Sequence, residues 1–182
     1  MNAYNHTPTP RIYVASLADY NAGRLHGRWI DTDQGADELH AEIQAMLSES
    51  TYPPEENDWA IHDQEGFGGL ALNEAESMED LSRLSLLIAE HSELFADVAA
   101  YLGGATWIDE AEGWFVDRYH GAFSSVLEYT WQFIEDCYAE QLDQMGDFLG
   151  RYIDYEAIAR DLELGGDIIT FKRDGEIHIF SS

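Results

Sequence analysis

Acidic residues outnumber basic residues four to one in this chain, and they are interleaved with apolar residues. Thirty-six Asp and Glu and nine Lys and Arg give a net charge of −27 over 182 residues. Disordered acidic segments contain few apolar and aromatic residues, whereas this chain is 45% apolar and 13% aromatic. The sequence therefore predicts a folded protein whose acids lie on the solvated faces of its elements.

The charge balance also limits the possible partners and compartments. Proteins that bind phosphates use Lys and Arg, so direct binding to nucleic acid is not expected. The opening MNAYNHTPTP lacks a basic region followed by an apolar run, which predicts no signal peptide. No stretch approaches the roughly 20 apolar residues of a membrane span. We expect a cytoplasmic protein without membrane contact.

The first 63 residues have the pattern of a small α+β domain. Residues 11–16, 28–31 and 58–62 alternate apolar and polar side chains, as half-buried strands do. Between them an apolar stripe with helical spacing predicts an amphipathic helix capped by Asp33, and Pro53-Pro54 is expected to stop the chain after this helix. The stripe consists of Leu39, Ile43, Met46 and Leu47.

The remaining chain is predicted to form two further domains. Residues 64–104 favour two helices, one starting at Ser77 and one near Ser92. Residues 105–182 favour a strand at 114–116, a long helix from Ser125 to about residue 145, and a C-terminal β-hairpin. Asp-Gly at 174–175 is a preferred hairpin turn. The predicted fold is an elongated α+β chain of three small domains, 1–63, 64–104 and 105–182.

Catalytic and metal-binding motifs are weak in this sequence. There is no phosphate-binding glycine loop, nucleophile elbow or HExxH motif. Four acids have the spacing of a calcium loop, but Gly35 and Ala36 occupy its fifth and sixth positions, where a ligand and a glycine are required. These acids are Asp31, Asp33, Asp37 and Glu42. The lone Cys137 is expected to be a small buried residue. We therefore expect no enzyme activity, cofactor or metal.

The long helix carries the most informative pattern. Asp136, Glu140, Asp143 and Asp147 recur every three or four residues and would lie within about 60° on a regular helix. Like charges at this spacing destabilise a helix, and no Lys or Arg occurs between residues 123 and 150. The whole predicted acidic surface consists of Glu128, Glu135, Asp136, Glu140, Asp143, Asp147, Asp109, Glu110 and Glu112.

This pattern is compatible with four interpretations, one of them an enzyme whose site the sequence does not reveal. Duplex DNA carries one charge per roughly 1.7 Å, so 27 charges match about 45 Å of duplex, and the surface would imitate a DNA backbone. A generic acidic surface that binds a basic protein is the second possibility. The third is an acidic surface kept for solubility or for life at high salt. The charge alone does not decide among them.

Three separate blocks of the sequence resemble the ArdA antirestriction proteins. They are PRIYVASLADYNAGRLHGRWID at residues 10–31, WAIHDQEGFGG at 59–69 and YIDYEAIARDLELGGDIITFKRDGEIHIF at 152–180. The segment YHGAFSSVLEYTWQFIED at 119–136 is similar in pattern but looser. The blocks occur in the family's order and cover nearly the whole chain.

The resemblance implies both a fold and a function. Family members have three small domains in a row, form curved homodimers and come from mobile genetic elements. Their acidic surface imitates bent double-stranded DNA and fills the DNA-binding groove of type I restriction–modification enzymes, formed by the methyltransferase core. They need no cofactor. The family's antirestriction segment falls near residues 124–150, Tyr13, Trp29 and Trp59 are expected in the core, and the dimer contact is expected within residues 123–152.

Overall fold

A computed structural model describes residues 9–52 and 58–182 of the chain. Within those residues the chain forms seven α-helices, one short 3-10 helix and two three-stranded antiparallel sheets, which confirms the α+β class. The chain divides into two compact units, Met1–Gly113 and Trp114–Ser182. The division into three domains stays a prediction, and the predicted stop at residues 53–54 lies outside the described residues.

The first unit contains a sheet in the order β2-β1-β3, and its three strands confirm the predicted ones. The strands are β1 (Arg11–Ser16), β2 (Gly27–Asp31) and β3 (Trp59–Glu65). Ile12 and Val14 on β1 are fully buried, as expected for alternate residues on one face of a strand.

The aromatic residues expected in the core of the first unit are only half-buried. Tyr13 lies between Ile12 and Val14 on β1, so its side chain is on the opposite face of the sheet. There its ring meets that of Trp29 edge to face, with centroids 5.6 Å apart. Trp59 is half-buried as well. The expectation of core positions for these residues is therefore wrong.

Helix α1 (Leu17–Asn21) follows β1, and α2 (Ala36–Ser48) supplies apolar side chains to the core. All four residues of the predicted stripe on α2 are buried, which confirms the amphipathic helix. The predicted cap is wrong, because the N-cap is Gly35 and no side chain caps the helix. Asp33 lies two residues too early to reach the first free backbone N–H groups.

Two helices follow in the first unit, α3 (Met78–His91) and α4 (Glu93–Leu102). Each begins at the predicted serine. The Ser77 hydroxyl accepts a hydrogen bond from the Asp80 N–H, and the Ser92 hydroxyl accepts one from the Leu94 N–H. A short 3-10 helix, Ala105–Trp107, comes after them.

Helix α5 (Ile108–Arg118) occupies the place where a strand was predicted at residues 114–116. The prediction is wrong because three consecutive apolar residues are too short a run to distinguish strand from helix. The burial pattern has the helical period instead. Ile108, Ala111 and Phe115 are buried, at steps of three and four residues, and they form one helix face.

The second unit contains a sheet in the order β4-β6-β5. Its strands are β4 (Tyr119–Phe123), β5 (Ile168–Arg173) and β6 (Glu176–Ser181). The predicted hairpin is confirmed, since β5 pairs antiparallel with β6. Asp174 and Gly175 join them with φ of 53° and 85°, the positive values that a type I′ turn requires.

Helices α6 (Val126–Gly150) and α7 (Tyr155–Gly165) complete the second unit. Tyr129, Ile168 and Ile179 form a buried core between the sheet and these helices, with Leu162 packed against it. Phe180 is fully buried and contacts the rings of Trp114, Phe115, Tyr119 and Phe171. The C-terminal hairpin thus contributes to both aromatic and aliphatic packing.

Cys137 on α6 is exposed, so the prediction of a buried cysteine is wrong. Beyond Ile134, nearly all side chains of α6 are exposed, with Leu142 and Gly150 only partly covered. The aromatic-rich sequence suggested a packed helix, but within the described residues the second half of α6 has little to pack against.

Candidate acidic binding surface

The N-terminus of α6 holds the first of the predicted acids in a fixed position. Ser125 is the N-cap, and its hydroxyl accepts a hydrogen bond from the Glu128 N–H at 3.1 Å. The Glu128 carboxylate accepts hydrogen bonds from the Ser124 hydroxyl at 2.6 Å and the Ser124 N–H at 2.7 Å. Ser125 thus caps the helix whose start the sequence predicted, while the Glu128 side chain accepts from Ser124 rather than from the N–H of the N-cap.

These hydrogen bonds favour the charged form of Glu128. The bond from the Ser124 hydroxyl, followed by the bond from its backbone N–H, lowers the pKa of the Glu128 carboxyl below its ordinary value. Donors aimed at a carboxylate stabilise the anion. Glu128 is therefore an oriented negative charge at the start of the helix.

The other five acids on α6 are exposed, but they do not lie on one straight helix. Tyr138 has φ −126° and ψ 20°, and Gly146 has φ 72° and ψ 161°. Neither pair of angles is helical. The predicted continuous stripe is therefore wrong: Asp136 precedes the first break, Glu140 and Asp143 lie between the breaks, and Asp147 follows the second.

Glycine explains the second break, because a residue without Cβ adopts positive φ at little cost. The structure provides no comparable explanation for Tyr138. The breaks change the directions of the acids along α6 but leave them exposed: Glu135, Asp136, Glu140, Asp143 and Asp147.

Positive charge is scarce around the acids of α6. Within the described part of the chain, none of the six forms an ion pair with Arg or Lys. Arg151, the next base along the sequence, donates a hydrogen bond from Nε to the backbone oxygen of Asp147 at 3.1 Å. The negative charge of α6 is thus left available to a partner.

The three predicted acids on α5 have a different environment. The guanidinium of Arg83, on α3, forms ion pairs with Asp109 through Nη1 and with Glu112 through Nη2. The second pair has an N–O distance of 2.6 Å. Glu110 is exposed. The prediction grouped all three acids together, but the structure separates a paired set, Asp109 and Glu112, from Glu110.

Arg83 is the residue that the sequence analysis missed. Its sequence context contains one signal, because it is the only base between Arg28 and Arg118, a stretch with 22 acids. Its two partners lie 26 and 29 residues further along the chain. Sequence spacing alone does not reveal a contact between separate helices.

Large apolar side chains are exposed on α6 and just after it. Trp131 is 53% exposed and Tyr152 73% exposed, and Tyr138 and Met145 are also exposed. These four residues recur at intervals of seven, although the breaks at Tyr138 and Gly146 keep them off one straight helix face. Phe148 and Leu149 enlarge the exposed apolar area. Trp131 and Tyr152 line the same pocket, and contiguous exposed apolar surface commonly marks a protein interface.

The described residues contain neither a metal-binding cluster nor a helix that could span a membrane. In residues 9–52 and 58–182, no three His, Cys, Asp or Glu side chains come together as they would around a metal ion. The start of α2 at residue 36 also converts the calcium-like sequence into a helix. No helix in the described ranges is both long and apolar enough to cross a membrane.

The comparison with protein families agrees with the resemblance seen in the sequence. The family model described as antirestriction protein (ArdA) matches residues 12–175. The chain belongs to the ArdA family. The match begins within β1, includes all seven helices and β5, and ends at the hairpin turn, before β6. A comparison with curated proteins found no match.

Membership of the ArdA family assigns antirestriction as the function of the chain. The family consists of inhibitors and implies an interaction with restriction–modification enzymes. The acids of α6 and α5 are the candidate contact residues, and their role in that interaction stays a prediction.

Proposed function

We propose that this ArdA family member inhibits type I restriction–modification enzymes by presenting carboxylates in place of the phosphates of double-stranded DNA. The observation that carries the proposal is the group of six acids on α6, which form no ion pairs within the described chain. The family match supports restriction–modification enzymes as the target class. The methyltransferase core is the proposed partner, because it contains the DNA-binding groove.

The proposed mechanism is competitive occupancy of that groove. Lys and Arg placed to meet phosphates form charge-assisted hydrogen bonds with carboxylates as well. Glu128 is already oriented by Ser124, so less conformational freedom is lost when it binds. The breaks at Tyr138 and Gly146 turn successive acids in different directions, and the phosphates of a duplex likewise do not lie on one straight line.

Electrostatics sets the kinetics of this mechanism. A net charge of −27 attracts a basic groove over long distances and accelerates encounter. Salt screens this attraction, so association slows as salt rises. Because a carboxylate surface presents no base edges, inhibition is insensitive to the recognition sequence of the enzyme. The inhibitor itself does not bind DNA, needs no cofactor and catalyses no reaction.

The exposed apolar residues on α6 and just after it support a homodimer. Trp131, Tyr138, Met145 and Tyr152 supply the aromatic and methionine side chains that are enriched at interfaces. A two-fold interface brings the same patch of each copy together, so an apolar patch is self-complementary where an acidic one repels itself. We propose that a second copy of the chain covers this patch.

A displacement titration tests the proposed function. A labelled duplex is bound to a purified type I methyltransferase core, and the inhibitor is added at roughly 50 and 200 mM salt. We expect complete displacement at both, with slower association at the higher concentration. A parallel titration of the inhibitor with duplex alone checks that the two do not bind.

Two results contradict the proposal. The inhibitor could bind the core while the duplex stays bound, as a generic acidic interaction module would do. Alternatively, the chain could require molar salt to fold, as expected if its acids are an adaptation to a saline environment. Circular dichroism at low and high salt distinguishes that outcome.

A further inference from the structure

Arg83 bridges two carboxylates that belong to the predicted binding surface. Nη1 contacts Asp109, and Nη2 lies 2.6 Å from Oε2 of Glu112. Two different nitrogens of one planar guanidinium are used, so the fork fixes the position of one carboxylate relative to the other. All three residues lie within the first unit.

Each carboxylate uses only part of its hydrogen-bonding capacity in this contact. Arg83 meets Oδ1 of Asp109 and Oε2 of Glu112, whereas a carboxylate has about four acceptor sites on its two oxygens. The Asp109 side chain is 75% exposed and that of Glu112 42% exposed. Both therefore remain accessible to a cation from a partner while Arg83 holds them.

The ion pairs of Arg83 are expected to contribute little to the stability of the fold. Exposed ion pairs contribute little to folding because water and salt screen them, and the side chain of Arg83 is 47% exposed. A base on this surface also reduces the negative charge that attracts a basic groove. Its simultaneous contact with two carboxylates instead points to a role in the geometry of its two partners.

We propose that Arg83 is a positioning residue for target binding: it holds Asp109 and Glu112 in one arrangement before the enzyme is met. The inference rests on the proposed function. Flexible side chains lose conformational freedom when they are fixed at an interface. Two carboxylates that are already fixed lose less of it, so their preorganisation slows dissociation of the complex.

The test compares variants that change the net charge equally. Arg83→Gln and Arg28→Gln each change the charge from −27 to −28. Arg28 is the matched control, because it lies in the same unit and pairs with a single carboxylate, Glu49, at 2.7 Å. Affinity and both rate constants are measured against the purified methyltransferase core.

A positioning role and a pure charge effect predict opposite changes in the dissociation constant of Arg83→Gln. We expect Arg83→Gln to raise the dissociation constant by about 5-fold through faster dissociation, while Arg28→Gln leaves it unchanged or lowers it. Arg83→Lys should restore part of the loss, because an ammonium keeps the charge but not the planar fork. Thermal unfolding identifies a general loss of structure, which the lysine variant is expected to avoid.

The proposal is overturned if Arg83→Gln binds as tightly as Arg28→Gln or more tightly, or if its loss appears only in the association rate. Failure of the proposed function is separately visible, because the unmodified chain would then not displace duplex DNA from the core. The two ideas are thus tested by different measurements in the same experiment.

Discussion

Ser124 donates two hydrogen bonds to the carboxylate of Glu128, one from its hydroxyl at 2.6 Å and one from its backbone N–H at 2.7 Å. Both bonds are lost in part when the carboxylate is protonated. They therefore link the charge of Glu128 to the N-terminus of α6, the helix that carries most of the predicted contact acids. This pair leads to a prediction about pH.

We expect Ser124→Ala to raise the pKa of Glu128 toward its ordinary value. The hydroxyl bond is the largest contribution to the lowered pKa, and alanine removes it while keeping the backbone N–H. NMR titration of the side-chain carboxyl measures the change.

The hydrogen bonds between Ser124 and Glu128 also determine the direction in which the stability of the protein changes with pH. Because the folded pKa of Glu128 is depressed, its contribution to stability is present above the unfolded value of about 4.5 and is lost as pH falls through the folded pKa. Urea denaturation at pH 7 and pH 3 measures how much stability is lost as pH falls. The fall in stability between them should be smaller in Ser124→Ala, and an equal fall would contradict the assigned cause.

Ser92 gives a prediction about backbone strain. It joins α3 to α4 with φ 64° and ψ −179°, a conformation that residues other than glycine rarely adopt. Glycine would relieve the strain, while losing only a few tenths of a kcal/mol of capping. We expect Ser92→Gly to increase the free energy of unfolding by roughly 1 kcal/mol, measured by urea denaturation.

Ser92→Ala is the matched control. Alanine keeps the strain and removes the hydroxyl that accepts from the Leu94 N–H, so it should lower the free energy of unfolding by about 1 kcal/mol. Equal effects of the two substitutions would show that the backbone at this position is not strained.

Local signals in the sequence predicted much of the fold. The alternation in β1, the stripe on α2 and the Asp174-Gly175 turn each depend on neighbouring residues, and all three predictions are confirmed. Residues 114–116 were misassigned because the helical period becomes visible only when Ile108 and Ala111 are included. Short apolar runs do not identify their own secondary structure.

The candidate site was less accessible to sequence reasoning. Its acids were identifiable from charge, but their directions depend on backbone angles at Tyr138 and Gly146. A glycine at 146 indicated a possible break, whereas tyrosine at 138 gave no such signal. The pairing of Arg83 with Asp109 and Glu112 depends on the packing of α3 near α5, and Cys137 was misplaced because its exposure also depends on tertiary packing.

The acids of α6 give the most direct prediction about function. We expect a quadruple variant, with Asp136, Glu140, Asp143 and Asp147 changed to Asn or Gln, to weaken binding to the methyltransferase core by at least about tenfold, or about 1.4 kcal/mol. The reason is loss of charge-assisted hydrogen bonds. The displacement titration measures the change, and circular dichroism checks the fold.

A control quadruple separates contact from total charge. Amides at Glu156, Glu163, Asp167 and Asp174 also change the net charge from −27 to −23, and these four acids are exposed in the same unit. Equal losses in the two quadruple variants would assign the effect to overall charge and remove the α6 acids from the contact surface.

The apolar patch on α6 gives a prediction about assembly. Trp131→Glu with Tyr152→Glu adds two charges to a patch that a second copy is proposed to cover. We expect the dimer dissociation constant to rise roughly 30-fold or more, because buried aromatic anchors contribute most at interfaces and the new carboxylates would be buried without partners. Sedimentation equilibrium over a range of protein concentrations measures it.

Val116→Glu with Leu164→Glu is the matched control, since both residues are highly exposed in the second unit but lie outside residues 131–152, which contain the proposed patch. This variant carries the same added charge and should keep the dimer. Salt provides a second test: each copy carries −27, so screening should strengthen the dimer while it weakens the complex with the target. Two outcomes would place the interface away from residues 131–152. In one, the dimer weakens as salt rises; in the other, the control variant disrupts the dimer as much as the test variant does.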